Sequence, residues 1–308
     1  NFDHSFSCDN DPKIKKVIET NFRPRHFYDD VQHRDTDAME QVDLYTAGFP
    51  CQPFSLAGYK EGFKDKKGRG TIVNYVLKYI EKKRPKIFIL ESVKGFAVLE
   101  GGKYVKQVVQ TLKDIKENGS NAAYIVHHKV INTNDHGIPQ HRERWYCIGF
   151  LKSAYPEGEK FRFPEAITCP LLTSFLDDPS TANVDANETD EVQDKIIRAF
   201  KEARERGIRA EMVPVVVDVD ASKSKMTWRK EMSPCLTRSR SRGHWITTKH
   251  RRMSIEEMTR LQGIWILQLK NDNSRSEIGK QLGNGMSLNV VERILYKTLS
   301  TIGRLPKG

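Results

Sequence analysis

The chain has 308 residues, and its 51 lysines and arginines against 40 aspartates and glutamates give a formal net charge of +11. This length can bury a sizeable hydrophobic core and is typical of one large domain or of a large and a small one. No stretch reaches the roughly 18 apolar residues of a membrane-spanning helix, and the first residues lack a signal-peptide pattern. We therefore expect a soluble protein, whose positive charge favours a polyanionic partner.

The five cysteines form an odd set without a Cys-x-x-Cys pair. This pattern argues against a disulfide scaffold and against a zinc site, and it is typical of a reducing compartment. We expect no bound metal and an intracellular location, which is the nucleus in a eukaryote and the cytoplasm or nucleoid in a bacterium.

Strand-like and helical patterns alternate through the first half of the chain. The strand-like runs are 43–47, 86–91, 123–131 and 144–150, and the helical patterns are 12–20, 71–83 and 104–117. Apolar residues recur every three or four positions in 71–83, as in a helix that packs on a sheet. This rhythm predicts an α/β fold with a doubly wound, mainly parallel sheet.

The second half begins with a polar, acidic segment at 176–191, which predicts a loop near a domain boundary. Further patterns predict a charged helix at 190–206, a strand at 213–219 and helices at 254–262 and 287–299. Ser254 and Glu257 have the spacing of a capping box at the start of the third of these elements.

A single cysteine, Cys51, follows the strand-like run 43–47 and precedes the helical pattern 71–83. An isolated cysteine is most often a small core residue, but a thiol at a strand-to-helix turn near basic side chains can be activated as a nucleophile. The next strand-like run ends in Glu91. Parallel strands present their carboxyl ends at one edge of a sheet, so a thiol and a carboxyl group are expected in one cleft.

Four segments together resemble the DNA (cytosine-5)-methyltransferase family, in the order in which that family carries its motifs. They are GFPCQPFS at 48–55, ESV at 91–93, PQHRER at 139–144 and QLGN at 281–284. The resemblance runs from about residue 5 to residue 295 and is weakest between 151 and 230. It implies an S-adenosylmethionine-dependent methyltransferase fold with a smaller C-terminal target-recognition domain.

The implied domains are a catalytic and cofactor-binding domain at 1–152, a target-recognition domain at 153–275 and a C-terminal helix at 276–308 that returns to the catalytic domain. The implied reaction transfers a methyl group from S-adenosylmethionine to carbon 5 of a cytosine in double-stranded DNA. Because a stacked base is inaccessible, the cytosine must be flipped out of the duplex.

The resemblance also implies the catalytic residues. Cys51 adds to carbon 6 of the ring, and Glu91 holds or donates a proton at ring nitrogen 3. Arg142 and Arg144, two apart at a strand entrance, are expected to point the same way and to grip the cytosine carbonyl, the target phosphate or the Cys51 loop. Ser92 stands where the family usually has asparagine, which keeps a hydroxyl but loses an amide.

For the cofactor, the resemblance implies that Asp9 binds the ribose hydroxyls and that Asp30 faces the adenine amine of S-adenosylmethionine. Pro50, Thr71 and Asn284 complete this pocket. The Phe-x-Gly-x-Gly loop that wraps the methionine end of the cofactor in the family is absent from the chain, which begins at Asn1. We therefore expect upstream sequence to be missing.

Two basic segments predict contacts with nucleic acid. The segment 58–70 has five lysines or arginines and four glycines, as in a mobile loop that closes over a backbone, and 238–252 concentrates positive charge around Trp245. A solvated surface is the alternative for each. The expected DNA contacts are Gln52, Ser55, Lys67, Arg69, Arg238, Arg240 and Arg242.

Two other functions stay open. One branch of the family methylates transfer RNA, although its usual Cys-Phe-Thr signature is not found in this chain. The second is binding of DNA without catalysis, as in an inactive relative of these enzymes. The missing cofactor loop favours this function, whereas the presence of Cys51, Glu91, Arg142 and Arg144 argues against it. The motifs also leave open whether the chain serves restriction-modification or epigenetic marking.

Overall fold

The structure is a computed structural model, and it describes residues 2–49, 72–117, 121–178, 188–265 and 269–306. Packing divides the chain into two compact units. The first unit comprises Asn1–Ile131, Glu143–Pro164 and Arg293–Gly308, and the second comprises Asn132–Arg142 and Glu165–Glu292. These units are defined by packing and the implied domains by function, so the boundaries at 152 and 275 stay a prediction.

The elements of the first half alternate much as the sequence predicts. In chain order they are β1 (Phe6–Cys8), α1 (Pro12–Phe22), β2 (His26–Tyr28), β3 (Leu44–Gly48), α2 (Ile72–Lys83), β4 (Ile87–Val93), α3 (Lys94–Val98), α4 (Lys103–Asp114), β5 (Lys116–Glu117), β6 (Asn121–Ala122), β7 (Tyr124–Asn132) and β8 (Glu143–Leu151).

The larger sheet of the first unit has the strand order β3-β4-β8-β7. β3 runs parallel to β4, with Gly48 opposite Glu91, whereas β8 runs antiparallel to β4, with Val93 opposite Arg144. β1 and β2 form a separate parallel pair. The α/β class is thus confirmed, and the larger sheet is mixed where the structure describes it.

The core of the first unit lies between this sheet and its helices. α2 buries Val73, Val76, Leu77, Tyr79 and Ile80, which matches the apolar stripe expected for a helix that packs on a sheet. In β4, every residue from Ile87 to Ser92 is buried. A strand that is buried on both faces is held rigidly, so the position of Glu91 near its carboxyl end is well defined.

The second unit contains a smaller antiparallel sheet and several helices. Its elements are α5 (Asp190–Glu205), β9 (Val215–Val217), β10 (Trp228–Lys230), β11 (Trp245–Ile246), β12 (Arg251–Arg252), α6 (Ile255–Arg260) and α7 (Arg275–Asn284), and they are followed by α8 (Leu288–Thr301). The sheet order is β10-β9-β11-β12. No helix in the described ranges is long and apolar enough to cross a membrane.

The capping box expected at 254–257 is present at the start of α6. The Ser254 hydroxyl accepts a hydrogen bond from the Glu257 backbone N–H at 3.1 Å, and the Glu257 carboxylate accepts one from the Ser254 N–H at 2.8 Å. Arg251 also donates to the fully buried Glu257 carboxylate at 2.8 Å. This prediction succeeded because a capping box depends on residues within one turn of chain.

Candidate active site and cofactor cavity

Glu91 lies near the carboxyl end of β4, beside the chain that leads to Cys51. Gly48, the last residue of β3, is opposite Glu91, and the next N–H, that of Phe49, donates to the Glu91 carbonyl oxygen at 3.4 Å. The end of β3, two residues before the predicted nucleophile Cys51, therefore lies beside the predicted acid Glu91. The other residues predicted nearby lie outside the described residues and stay predictions: Pro50, Cys51, Gln52, Ser55, Lys67, Arg69 and Thr71.

Glu91 and Arg144 form a nearly buried ion pair. Arg144 Nε is 3.2 Å from Glu91 Oε1, and the two side chains are 12% and 11% exposed. Since Val93 is opposite Arg144 in the β4–β8 ladder, Glu91 and Arg144 are diagonal neighbours on one face of the sheet. The structure thus brings together two of the residues that the motifs predict to be catalytic.

The pair is held by a further hydrogen bond, in which Arg144 Nη1 donates to the backbone carbonyl oxygen of Glu143 at 2.9 Å. A guanidinium with several fixed donors restricts the carboxylate it binds to few orientations. The Glu91 carboxyl group is therefore held in a restricted orientation near the end of β4.

Arg142 has different surroundings from Arg144. It is 2% exposed, and its guanidinium donates to the carbonyl oxygens of Leu236 and Gly285, each at 2.6 Å, and of Gly283 at 3.3 Å. Gly283 and Gly285 lie at the end of α7, where carbonyl groups concentrate negative potential. In the structure Arg142 thus binds backbone of the second unit, and its proposed contact with the cytosine stays a prediction.

The expectation that the two arginines point the same way rested on strand alternation. β8 begins at Glu143, so Arg142 lies just outside the strand and alternation does not apply to it. Arg144 pairs within the first unit and Arg142 within the second, so the shared orientation of the two arginines stays a prediction.

Gln140 is a buried residue to which the sequence assigned no individual role. Its Oε1 accepts from the Leu236 N–H at 3.1 Å, and its Nε2 donates to the Leu261 carbonyl oxygen at 2.7 Å. Gln140 and Arg142 therefore both bind the backbone of Leu236. The sequence signal that could have indicated this role is the position of Gln140, an amide side chain two residues before Arg142 in the same PQHRER motif.

A cavity of about 350 Å³ in the first unit is lined by the carboxyl ends of β1 and β3 and by the segment after β2. Asp9 and Asp30 both line it, together with Gly48 and Phe49. One oxygen of each carboxylate accepts a backbone N–H two residues on, at 2.9 Å for Asp9 and 2.8 Å for Asp30. Two oriented carboxylates in a cavity of this size fit a nucleoside, whose hydroxyls and amine are donors.

Asn284, the third described residue predicted to bind the cofactor, is the exposed last residue of α7, in the second unit. The cavity also has a lining residue that the sequence did not indicate, Arg34. Its Nη2 donates to the Tyr45 hydroxyl at 3.0 Å, and its guanidinium lies 5.4 Å from the centre of the Tyr79 ring. Nothing in the local pattern around residue 34 marks this contact, because both partners are distant in sequence.

The four cysteines that the structure describes carry free thiols: Cys8, Cys147, Cys169 and Cys235. Burial raises the pKa of Cys8, Cys147 and Cys169, which makes these thiols poor nucleophiles at neutral pH. In the described ranges there is no group of three or more side chains that could hold a metal ion.

The three arginines predicted to contact DNA near residue 240 are not equivalent. Arg240 binds Asp218 through two hydrogen bonds, of 2.8 and 2.9 Å, and Arg242 Nη2 is 3.7 Å from Glu188 Oε1. Arg238 is exposed, and no carboxylate of the described residues forms an ion pair with it. Of the three, Arg238 is the one whose charge is free for a phosphate.

The backbone around Arg238 packs directly on α7. A Cβ atom on Gly279 would overlap the Ser241 carbonyl oxygen, and one on Gly283 would overlap the Thr237 carbonyl carbon. These two glycines are four residues apart and so lie on one face of the helix. The position of the turn that carries Arg238 therefore depends on the absence of side chains at both positions.

Comparison with known proteins agrees with these features. A model of the family "C-5 cytosine-specific DNA methylase" matches residues 1–300. The chain is 31% identical over 290 residues to the Type II methyltransferase M.NgoBI of Neisseria gonorrhoeae, which covers 93% of this chain and 83% of the relative. It is 29% identical over 299 residues to M.HaeII of Haemophilus aegyptius, which covers 96% of this chain and 86% of the relative.

Among solved structures, the Entamoeba histolytica methyltransferase EhMeth is similar in fold, with a TM-score of 0.62 at 15% identity over 96% of this chain and 89% of that one. At this identity the likeness shows the fold alone. The family model extends over nearly the whole chain and includes all four motifs. The chain therefore belongs to the C-5 cytosine-specific DNA methylase family.

Proposed function

We propose that this DNA (cytosine-5)-methyltransferase acts through a covalent adduct between Cys51 and carbon 6 of a flipped-out cytosine. Carbon 5 is a weak nucleophile, so the Cys51 thiolate first forms a bond to carbon 6. The displaced electron pair moves into the ring, where Glu91 holds or donates a proton at nitrogen 3. The observation that carries this proposal is the Glu91–Arg144 pair beside the end of β3, the strand that leads to Cys51.

Bound S-adenosylmethionine would supply an electrophilic methyl group, which the nucleophilic carbon 5 would accept while S-adenosylhomocysteine leaves. After methylation, loss of the carbon-5 proton to water returns an electron pair to the ring, the bond between sulfur and carbon 6 breaks, and the Cys51 thiolate is restored. Arg144 contributes by fixing the Glu91 carboxyl group and by presenting a guanidinium donor to the cytosine carbonyl.

For the cofactor, we propose that Asp9 accepts hydrogen bonds from the ribose hydroxyls and Asp30 from the adenine amine. The support is their place in one cavity, each with a carboxylate already oriented by a backbone N–H. Pro50, Thr71 and Asn284 complete this proposed pocket. We also propose that the cofactor-binding domain as a whole has the doubly wound, mainly parallel sheet that the family resemblance implies.

For the substrate, we propose double-stranded DNA, read by a smaller target-recognition domain at 153–275 and contacted at phosphates by Arg238. The named relatives are type II methyltransferases, which favours a role in restriction-modification and an intracellular place of action. Arg240 and Arg242 are paired with acids, so we expect them to support the fold of this region more than the contact with DNA.

The test is transfer of tritium from labelled S-adenosylmethionine to genomic DNA or to transfer RNA, by the wild-type chain and by Cys51→Ser. We expect label in DNA only, and none with Cys51→Ser. Label in RNA instead would favour the transfer-RNA branch, and no label in either would favour a non-catalytic relative.

A duplex with 5-fluorocytosine at the target position tests the adduct itself. Fluorine cannot leave carbon 5 as a proton does, so the covalent complex persists after methylation and migrates as one species in a denaturing gel. We expect this species with the wild-type chain and its absence with Cys51→Ser. A persistent complex with the serine variant would contradict Cys51 as the nucleophile.

A further inference from the structure

A second ion pair lies at the same end of the β4–β8 ladder as Glu91 and Arg144. Val93 and Arg144 are the last opposed residues of the ladder. Lys94 follows Val93 as the first residue of α3, and Glu143 precedes Arg144 at the start of β8. Lys94 Nζ donates to both oxygens of the Glu143 carboxylate, at 2.8 and 2.9 Å. Glu143 is adjacent to Arg144 in β8, so its side chain leaves the opposite face of the strand.

Within the described ranges, the Ser92 side chain forms no hydrogen bond that fastens this end of β4. The residue is 1% exposed, and its hydroxyl has no hydrogen-bond partner among the residues that the structure describes. Ser92 is also the position at which the chain departs from the asparagine usual in the family. The Lys94–Glu143 pair is thus a side-chain connection between the end of β4 and the start of β8 that does not depend on residue 92.

The two ion pairs are joined through the backbone of Glu143. Its carboxylate binds Lys94, and its carbonyl oxygen accepts the hydrogen bond from Arg144 Nη1 at 2.9 Å. Arg144 Nε in turn contacts Glu91 at 3.2 Å. A continuous series of contacts therefore runs from Lys94 to the carboxyl group of the proposed acid.

We infer that Lys94 and Glu143 are positioning residues, which hold Arg144 and through it Glu91 in the geometry needed for methyl transfer. This inference rests on the proposed function. Neither residue needs to touch the substrate. Partly exposed ion pairs add little to stability, but a small misplacement of a catalytic group lowers the rate of the chemical step.

The test compares Lys94→Met, Glu143→Gln and the charge-reversed double variant Lys94→Glu/Glu143→Lys. We expect each single variant to lower kcat roughly 5- to 10-fold, with KM for DNA and for S-adenosylmethionine changed less than about twofold, because only orientation is lost. The double variant restores the attraction, so we expect its kcat within about threefold of wild type.

Lys86→Met is the matched control, since Lys86 forms an ion pair with Asp43 at the other end of β4, with 2.8 Å between Nζ and Oδ1. This substitution removes the same charge and breaks a similar ion pair. We expect its kcat to equal that of the wild type. If kcat of Lys86→Met falls as much as that of Lys94→Met, loss of a positive charge alone explains the effect, and the inference is overturned. Unchanged kcat in both single variants, or a double variant as slow as the singles, would also overturn it.

A second measurement does not require activity. In selectively labelled protein, the Arg144 Nε–H resonance is assigned by its loss in Arg144→Lys, and its exchange with solvent is measured. We expect exchange at least about fivefold faster in Lys94→Met than in wild type or Lys86→Met, because the guanidinium is less restrained. Equal exchange rates contradict the inference even if the chain transfers no methyl group, whereas an inactive wild type with the expected rates contradicts the proposed function alone.

Discussion

Arg142 and Arg144 are two residues apart, yet their side chains have different contacts and different burial. Arg144 is paired with a carboxylate at the end of a strand and keeps 12% of its side chain exposed. Arg142 is 2% exposed and donates to backbone carbonyls around Leu236 and the end of α7. The difference teaches that a shared motif does not imply shared contacts: Arg144 pairs with the carboxylate proposed to act in catalysis, and Arg142 completes the packing of the second unit.

The largest effect is expected for Arg142→Met. The substitution keeps most of the side-chain volume but leaves the Leu236 and Gly285 carbonyl oxygens without their buried donors. We expect a loss of about 3 kcal/mol in the free energy of unfolding, measured by denaturant titration.

Arg142→Lys is the companion variant, since it keeps the charge and one donor position, and we expect it to lose less stability than Arg142→Met. If both variants unfold at the wild-type denaturant midpoint, the guanidinium contacts are not structural and Arg142 moves back toward a role in catalysis.

A smaller effect, on rate and not on stability, is expected for Arg144→Lys. Lysine keeps the charge but cannot bind Glu91 and the Glu143 carbonyl oxygen through one planar group. We expect kcat to fall roughly 10- to 30-fold, which corresponds to about 1.4–2 kcal/mol in the activation free energy. The measurement is single-turnover transfer of tritium to DNA, with thermal unfolding as the control.

An outcome in which Arg144→Lys loses several degrees of thermal stability and Arg142→Lys loses only rate would reverse the comparison. The two arginines would then have exchanged the roles that their contacts assign to them.

The smallest effect is expected for Arg238→Ala, which extends the comparison to an exposed arginine. Loss of one phosphate contact is expected to weaken binding of DNA by about 1 kcal/mol for every duplex sequence, and to reduce the slope of log affinity against log salt by about one. The measurement is a salt titration of binding to two unrelated duplexes.

Arg240→Ala is the matched control, because Arg240 is already neutralised by Asp218. We expect it to alter stability while leaving the salt slope near the wild-type value. A slope that changes equally in both variants would contradict the distinction between a free and a paired arginine.

Parts of the candidate site could be predicted from the sequence because they depend on neighbouring residues or on strand direction. Asp9 and Asp30 were indicated by the family resemblance, and the structure gives the physical reason: they closely follow two parallel strands, which end at one edge, so both reach the same cavity. Glu91 was located by the same reasoning. Local signals also predicted the α2 helix and the capping box of α6.

Other parts depend on residues far apart in the chain, and the patterns missed them. The acceptors of Arg142 lie more than 90 positions away, and Asp218 is 22 positions from Arg240. A run of arginines has the same composition whether its charges are free or paired. The sequence therefore indicated a basic surface at 238–242, but only the structure separates Arg238 from its neighbours.

By itself, the sequence determined the family, the nucleophile candidate and the longer strands and helices of the first half, because motif spacing and hydrophobic periodicity are properties of short stretches of chain. Only the tertiary structure decided which arginine pairs with Glu91, which one is buried, and that Lys94 and Glu143 lie together at the end of β4. The physical reason is that ion pairs and burial depend on which distant backbone comes within about 3 Å of a side chain, and strand pairing and helix packing set that distance.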